Sequence, residues 1–274
     1  MIEATNDRGA VCARVTPFSE DGRAWALAVR WEDAAQGLPT ETAWAAAVDA
    51  GIAACEDGGA TSIRSRVIIS ASGTPEELVA ARAAMHRDAL TARGFHIRGE
   101  RIEWRQSLDD ALAALPEYHD QATLSWRPVD VDDEADMARA VNLLIAARQG
   151  DPDSDPADDA RGIIDALLND GAAAQAPERV QIGSCDGIPA VVLLLTVCPD
   201  DGWASISYLG VQPAFRGRGI GKEAMAHGLR CMKAMGGRVY HDSTAATNAA
   251  ARALLTGLGS PPYRAMEEWR LFRH

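Results

Sequence analysis

The segment that most constrains this chain is Val211-Gln-Pro-Ala-Phe-Arg-Gly-Arg-Gly-Ile-Gly-Lys222. Its glycines at 217, 219 and 221 separate a strand pattern, Trp203 to Val211, from a helical pattern that runs to about Met235. A helix that begins this way leaves its first backbone N–H groups without internal partners and carries partial positive charge at that end. Glycine allows φ > 0 and lets a bulky anion approach the backbone closely. Arg216, Arg218 and Lys222 add fixed charge. Together these features predict a pyrophosphate cradle over Arg216, Gly217, Arg218, Gly219, Ile220, Gly221 and Lys222. A plain glycine-containing turn shares some of them. The G-x-x-x-x-G-K-[ST] spacing of a P-loop is absent, and no acidic residue closes a second strand in the order a dinucleotide fold requires.

The order of elements supplies the context. Strand patterns at 10–16 and 23–31 flank the turn residues Ser19-Glu-Asp-Gly22. A helix over 39–56 follows, with Thr40 as its cap and Trp44, Ala47, Val48 and Ile52 on one face. A strand at 61–70, a helix opened by Thr74-Pro75 and running to about Arg93, a strand at 95–104 and a short helix at 108–115 complete the first half. The second half reads as a strand at 123–128 and a helix at 132–148 with Met137, Val141, Leu144 and Ile145 on one side. A helix at 160–168 and a hairpin turning at Asp186-Gly187 come next. After strand 203–211 and the glycine loop come a helix, a strand at 238–242, a helix at 248–258 and a strand at 264–272. Both halves end strand–helix–strand–helix–strand. The pattern predicts an α/β fold with mixed sheets, in two tandem domains at 1–115 and 121–274 joined near 116–122, as a diverged duplication. The 274 residues suit that division.

Composition narrows the function. A net charge of −12 argues against nucleic acid as a partner, since phosphate recognition needs a basic surface. It is compatible with a cationic amine substrate. Cys12, Cys55, Cys185, Cys198 and Cys231 are scattered, with no C-x-x-C pair and no histidine cluster. No metal site is expected, and reduced thiols in a cytoplasm are. The polar start, Met1 to Ala10, does not read as a signal sequence, and the longest apolar run, Ile188 to Cys198, is too short to cross a bilayer. A soluble cytoplasmic protein with no membrane partner is expected. The acidic run Asp151 to Asp159 reads most simply as a solvated loop, with attraction of a cationic amine as the alternative.

Arg216-Gly-Arg-Gly-Ile-Gly221 resembles the R/Q-x-x-G-x-G/A signature of the GCN5-related N-acetyltransferase (GNAT) superfamily. Tyr208-Leu-Gly-Val211-Gln-Pro213 looks like that family's fourth strand and its exit. Trp126-Arg-Pro128 resembles its opening strand, and Asn248-Ala-Ala-Ala251-Arg-Ala-Leu254-Leu255 with Gly259 resembles its N-x-x-A-x-x-L-Y-x-x-x-G-F helix. The resemblance spans about 121–274. It implies a sheet split between its fourth and fifth strands, with the pantetheine arm of acetyl-CoA beside backbone at Leu209, Gly210 and Val211. It places the pyrophosphate on 216–221 and Asn248 near the sulfur. The N-terminal half has no such loop. Glu32 and Asp33 stand where bare backbone would be needed, so 1–115 reads as a degenerate copy that binds no CoA.

The implied activity is direct transfer of an acetyl group from acetyl-CoA to a primary amine of a small molecule or peptide. The alternative is a non-catalytic acyl-CoA sensor or interaction protein. A homodimer is compatible with either. Transfer needs a base for the amine proton, a donor to the carbonyl oxygen and a partner for the leaving thiolate. Tyr208, His241 and Asp242 are the candidate catalytic side chains. Strand alternation puts His241 and Asp242 on opposite faces, so at most one faces the cleft. The family's tyrosine position is Leu255, which removes the usual thiolate partner. Gly219→Asp is expected to abolish cofactor binding and to spare the fold if φ at that position is not positive.

Overall fold

The computed structural model of the protein describes residues 1–19, 24–115, 123–154, 159–171 and 173–272. The expected linker at 116–122 and part of the Ser19–Gly22 turn lie outside these residues. The chain forms two compact units, Met1–Ile102 with Tyr263–His274, and Glu103–Pro262. The division therefore does not follow the boundary expected near 116–122, and the last strand lies with the first unit.

The first unit contains β1 (Ile2–Thr5), β2 (Val11–Ser19), β3 (Ala24–Trp31), α1 (Glu41–Asp57), β4 (Ser62–Ala71) and α2 (Glu76–Thr91). It also holds the first part of β5 (His96–Ser107) and all of β11 (Arg264–Phe272). Its strands are ordered β1-β2-β3-β4-β11. β2 and β3 are antiparallel, β3 and β4 are parallel, and β11 runs antiparallel to β4 from Arg264↔Ala71 to Phe272↔Ser62. Thr40 caps α1 by accepting from Ala43 N at 3.1 Å, as the sequence predicts. Thr74 does not cap α2. Pro75 takes the cap position with no side-chain hydrogen bond. Trp44, Val48 and Ile52 of α1 enter the core with Ile63, Val67 and Leu271. The Trp44 ring stacks on Trp31 with centroids 5.0 Å apart.

The second unit contains the end of β5 (Glu103–Ser107), α3 (Leu108–Ala113), β6 (Leu124–Pro128), α4 (Glu134–Ala147) and α5 (Ala160–Leu168). β7 (Val180–Cys185), β8 (Ile188–Cys198), β9 (Trp203–Val211), α6 (Ile220–Ala234), β10 (Val239–Ala245) and α7 (Ala249–Thr256) follow. Its strands are ordered β10-β9-β8-β7-β6, with the end of β5 beside β10. The β7–β8 hairpin turns through Asp186 at φ 51° and Gly187 at φ 78°, the two positive values that a tight two-residue turn demands. On α4 the core face is Met137, Ala140, Leu143, Leu144 and Ala147. Ile145, expected on that face, is 51 % exposed.

The two units share one arrangement. In each, an antiparallel pair (β2–β3, β8–β9) is followed by a helix that crosses to a parallel strand (β4, β10). The apolar faces of α1 and α6 explain the crossover, because each must bury itself on its own sheet.

Asp136, 4 % exposed, closes the N-terminal turn of α4. It accepts from both terminal nitrogens of Arg127 at 2.6 Å and from Arg139 at 2.9 Å. The Arg127 pairing holds its carboxyl at about 2. A depressed pKa contributes stability above the unfolded value near 3.9 and loses it as pH falls toward 2. Asp136→Asn should therefore cost about 1–2 kcal/mol at pH 7. The gap to wild type should close toward pH 2 in chemical denaturation measured at both pH values.

Candidate functional site: a cleft beside the α6 N-terminus

The split starts where pairing between β9 and β10 stops. The two strands are in register only at Trp203↔Val239 and Ala204↔Tyr240, although they continue to Val211 and Ala245. Beyond that point the β10 side of β9 is open. A register shift between Leu194 and Leu195 of β8 leaves Ser207 as the extra residue of β9. Such a bulge re-aims the residues after it, here Tyr208 and Leu209. Ser207 Oγ lies 2.7 Å from Thr196 Oγ1, which anchors the bulge.

The opening is a cleft of about 550 Å³. It brings together Tyr208, Leu209, Gly210, Val211, Arg216, Gly217, Gly219, Ile220, Gly221, Lys222 and Asn248 of the residues expected from sequence. Arg218 is not among the lining residues. Its guanidinium lies over the Phe215 ring at 5.3 Å. Gly217 and Gly219 have φ of 77° and 79°, and a Cβ at either would meet nothing within 4 Å. The glycines at the start of this 15-residue helix therefore leave open space beside its N-terminus, as a phosphate cradle requires. Gly219 is the N-cap of α6 and is left-handed, so the condition attached to the fold-sparing expectation for Gly219→Asp is not met.

Arg216 has a role that its charge alone did not suggest. Its Nε donates to Val211 O at 3.0 Å and its Nη2 to Ala147 O at 2.8 Å, tying the glycine loop to the C-terminal end of α4. Gly210 is needed for room. A Cβ there would strike the Tyr208 ring and lie 2.6 Å from Ala147 Cβ. Gly210→Ala should lower stability by about 1–3 kcal/mol, as overpacking does. The check is a denaturant midpoint, with an unchanged value meaning that Tyr208 swings away without cost.

Tyr208 and Asn248 are joined by two carboxylates that sequence reading did not connect with them. Tyr208 Oη donates to Asp151 Oδ2 at 3.1 Å. Asn248 Nδ2 donates to Asp151 Oδ1 at 3.2 Å and to Asp153 Oδ2 at 2.8 Å. Asp153 also accepts from Ala245 N at 2.7 Å and from the Thr244 hydroxyl. The start of the acidic segment is thus not a solvated loop. Asp151 is half-buried and lines the cleft, and residues 155–158 lie outside the described ones. Asn248 lines the cleft, with its amide engaged by two carboxylates and its Oδ1 accepting from Ala251 N at 3.1 Å. Burial, and then the Asp151 charge, push the Tyr208 phenol well above its ordinary ionisation. It keeps its proton at neutral pH, so it can donate a hydrogen bond and cannot serve as a base.

His241 and Asp242 do not line this cleft. His241 Nε2 lies 3.3 Å from Glu103 Oε2, with its ring 6.2 Å from Trp203. Asp242 accepts from Tyr240 Oη at 2.7 Å and from Ser243 N at 2.8 Å. Leu255 is 3 % exposed and its neighbour Leu254 lines the cleft instead. Among the described residues no group of three or more His, Cys, Asp or Glu is placed to hold a metal ion.

Residues 158–259 match the family model described as the acetyltransferase (GNAT) family. No curated protein matches the chain. Solved structures do. A GCN5-related N-acetyltransferase from Sphaerobacter thermophilus has a TM-score of 0.61 at 15 % identity, covering 98 % of this chain and 80 % of that one. One from Kribbella flavida has 0.61 at 14 %, covering 95 % and 88 %. A tandem GNAT protein from the clavulanic acid biosynthesis pathway has 0.57 at 16 %, covering 96 % and 80 %. At such identities the likeness is one of fold. It extends over nearly the whole chain and agrees with the repeated arrangement of the two units. The protein has a tandem GNAT-type fold, and its residues 158–259 match the model of the acetyltransferase (GNAT) family.

Proposed function

We propose that the protein transfers an acetyl group from acetyl-CoA to a primary amine, and that only the second unit binds the coenzyme. The observation that carries this is a single cleft lined both by the glycine loop at the start of α6 and by a Tyr208–Asp151 pair. The pyrophosphate sits on Gly217 to Gly221, with Lys222 adding charge and Arg216 holding the loop. The pantetheine arm lies along the open edge of β9 at Leu209 to Val211. A backbone N–H there donates to the thioester oxygen as it gains charge.

The incoming amine is an ammonium ion at neutral pH and must lose a proton first. Asp151 attracts it and takes that proton, directly or through a water. The C–N bond then forms and the C–S bond breaks. The thiolate takes up a proton from solvent, since Leu255 supplies none. Tyr208, protonated throughout, orients Asp151. The carboxylates at 151 and 153 favour a cationic acceptor, whether a small molecule or a peptide N-terminus or lysine.

Release of free thiol from acetyl-CoA in the presence of a panel of amines tests the reading. Coenzyme binding without release would favour an acyl-CoA sensor, a second reading supported by Leu255. No binding would defeat both. Among the described residues no helix is long and apolar enough to cross a membrane.

A further inference from the structure

We propose that the first unit carries a binding site for a small organic carboxylate in the split between β3 and β4. Those strands pair in parallel from Ala24↔Ser62 to Leu27↔Ser65 and then part, as β9 and β10 do in the second unit. The opening holds a cavity of about 330 Å³. Its volume falls at the lower end of small-molecule sites.

The argument rests on Arg82 of α2, which lines this cavity and is only 9 % exposed. Its Nη2 donates to Glu32 O at 2.8 Å, and its guanidinium lies 5.2 Å over the Trp31 ring. Its Nε is buried without any hydrogen-bond partner. Glu32, the nearest acid in sequence to that carbonyl, spends its carboxylate on Arg14. Burial works against the Arg82 charge, and Cys12 and Asp33 only partly offset it. A buried guanidinium normally pairs with a carboxylate or phosphate, because a desolvated charge is costly alone. Among the described residues Arg82 has no such partner, which leaves the pairing to a ligand.

The surroundings select the kind of anion. Val29 and Val79 supply apolar wall, Thr74 a hydroxyl, and Arg30 and Arg264 further positive charge. No glycine-rich run of bare N–H groups is present, because the chain leaves β3 through Glu32 and Asp33. A planar monoanion matches the guanidinium fork. A phosphate dianion would meet the Asp33 charge that already acts on Arg82. The ligand class is therefore a small carboxylate with an aliphatic or aromatic body, distinct from CoA.

The test is calorimetry on the full chain with isovalerate, phenylacetate and inorganic phosphate as probes, at constant ionic strength. At least one carboxylate should bind with one-to-one saturation, and phosphate at least tenfold more weakly. Arg82→Lys keeps the charge and loses the fork, and should weaken that binding at least tenfold. Ser72→Trp places an aromatic ring at the exposed rim of the cavity and should block it, which keeps the test decisive if Arg82→Lys misfolds by circular dichroism. Absence of saturable carboxylate binding overturns the proposal. So does phosphate binding as tightly as carboxylate, or binding that survives in every folded variant.

Discussion

Gly219→Asp is expected to lose about a thousandfold in affinity for acetyl-CoA, and Gly219→Asn much less. The left-handed backbone at this N-cap, φ 79°, penalises any side chain by about 1–2 kcal/mol. Asparagine and aspartate tolerate it best among residues with a Cβ. The two variants therefore share the same strain and nearly the same shape, and the open space around the position admits both. They differ in charge. A carboxylate about 4 Å from a phosphate oxygen, at an effective dielectric near 20, costs about 4 kcal/mol per charge pair. Titration with acetyl-CoA, with circular dichroism on both variants, separates the electrostatic loss from the conformational one. An Asp-to-Asn ratio near one would mean that the phosphates lie elsewhere.

Asp151→Asn should lower kcat/KM by about a hundredfold to ten-thousandfold, the range for a general base. Acetyl-CoA affinity should change far less, because the substitution leaves the backbone N–H groups of the glycine loop in place. An asparagine oxygen can still accept from Tyr208, but its NH2 then faces the donor Asn248 Nδ2, so circular dichroism and acetyl-CoA titration accompany the rate measurement. The wild-type rate should rise with pH as the amine loses its proton, and the variant should stay slower across that range. Tyr208→Phe should cost less, because it removes an orienting hydrogen bond and leaves the carboxylate. A full-rate Asp151→Asn enzyme would assign proton removal to another group.

The place of the glycine loop, between a strand and a helix, was legible because it is local. Three glycines between a strand and a helix leave few other readings, and the structure puts most of its expected residues on one cleft. Asp151 was only half legible, as one acid of a run that could attract an amine, for the opposite reason. An aspartate in Asp-Pro-Asp-Ser looks solvated until Tyr208 and Asn248 arrive from residues 57 and 97 positions away. Arg82 reads as an ordinary helical charge, and only the packing of Trp31 above it reveals a buried guanidinium. The short β1 was missed because four residues show too little alternation. Pairing of β11 with β4 joins residues nearly 200 positions apart, and nothing in either strand names the other.

That last pairing has a consequence during synthesis. Residues 1–102 leave the ribosome long before Arg264–Phe272 can dock on β4. At about 5–20 residues per second, the wait is roughly 10–30 s. Throughout it β4 presents an open edge with Ile63 and Val67 on its buried face, the kind of edge that recruits foreign strands. Nascent chains should therefore depend on a chaperone, or on slow growth at low temperature, until the final nine-residue strand arrives to seal the first unit.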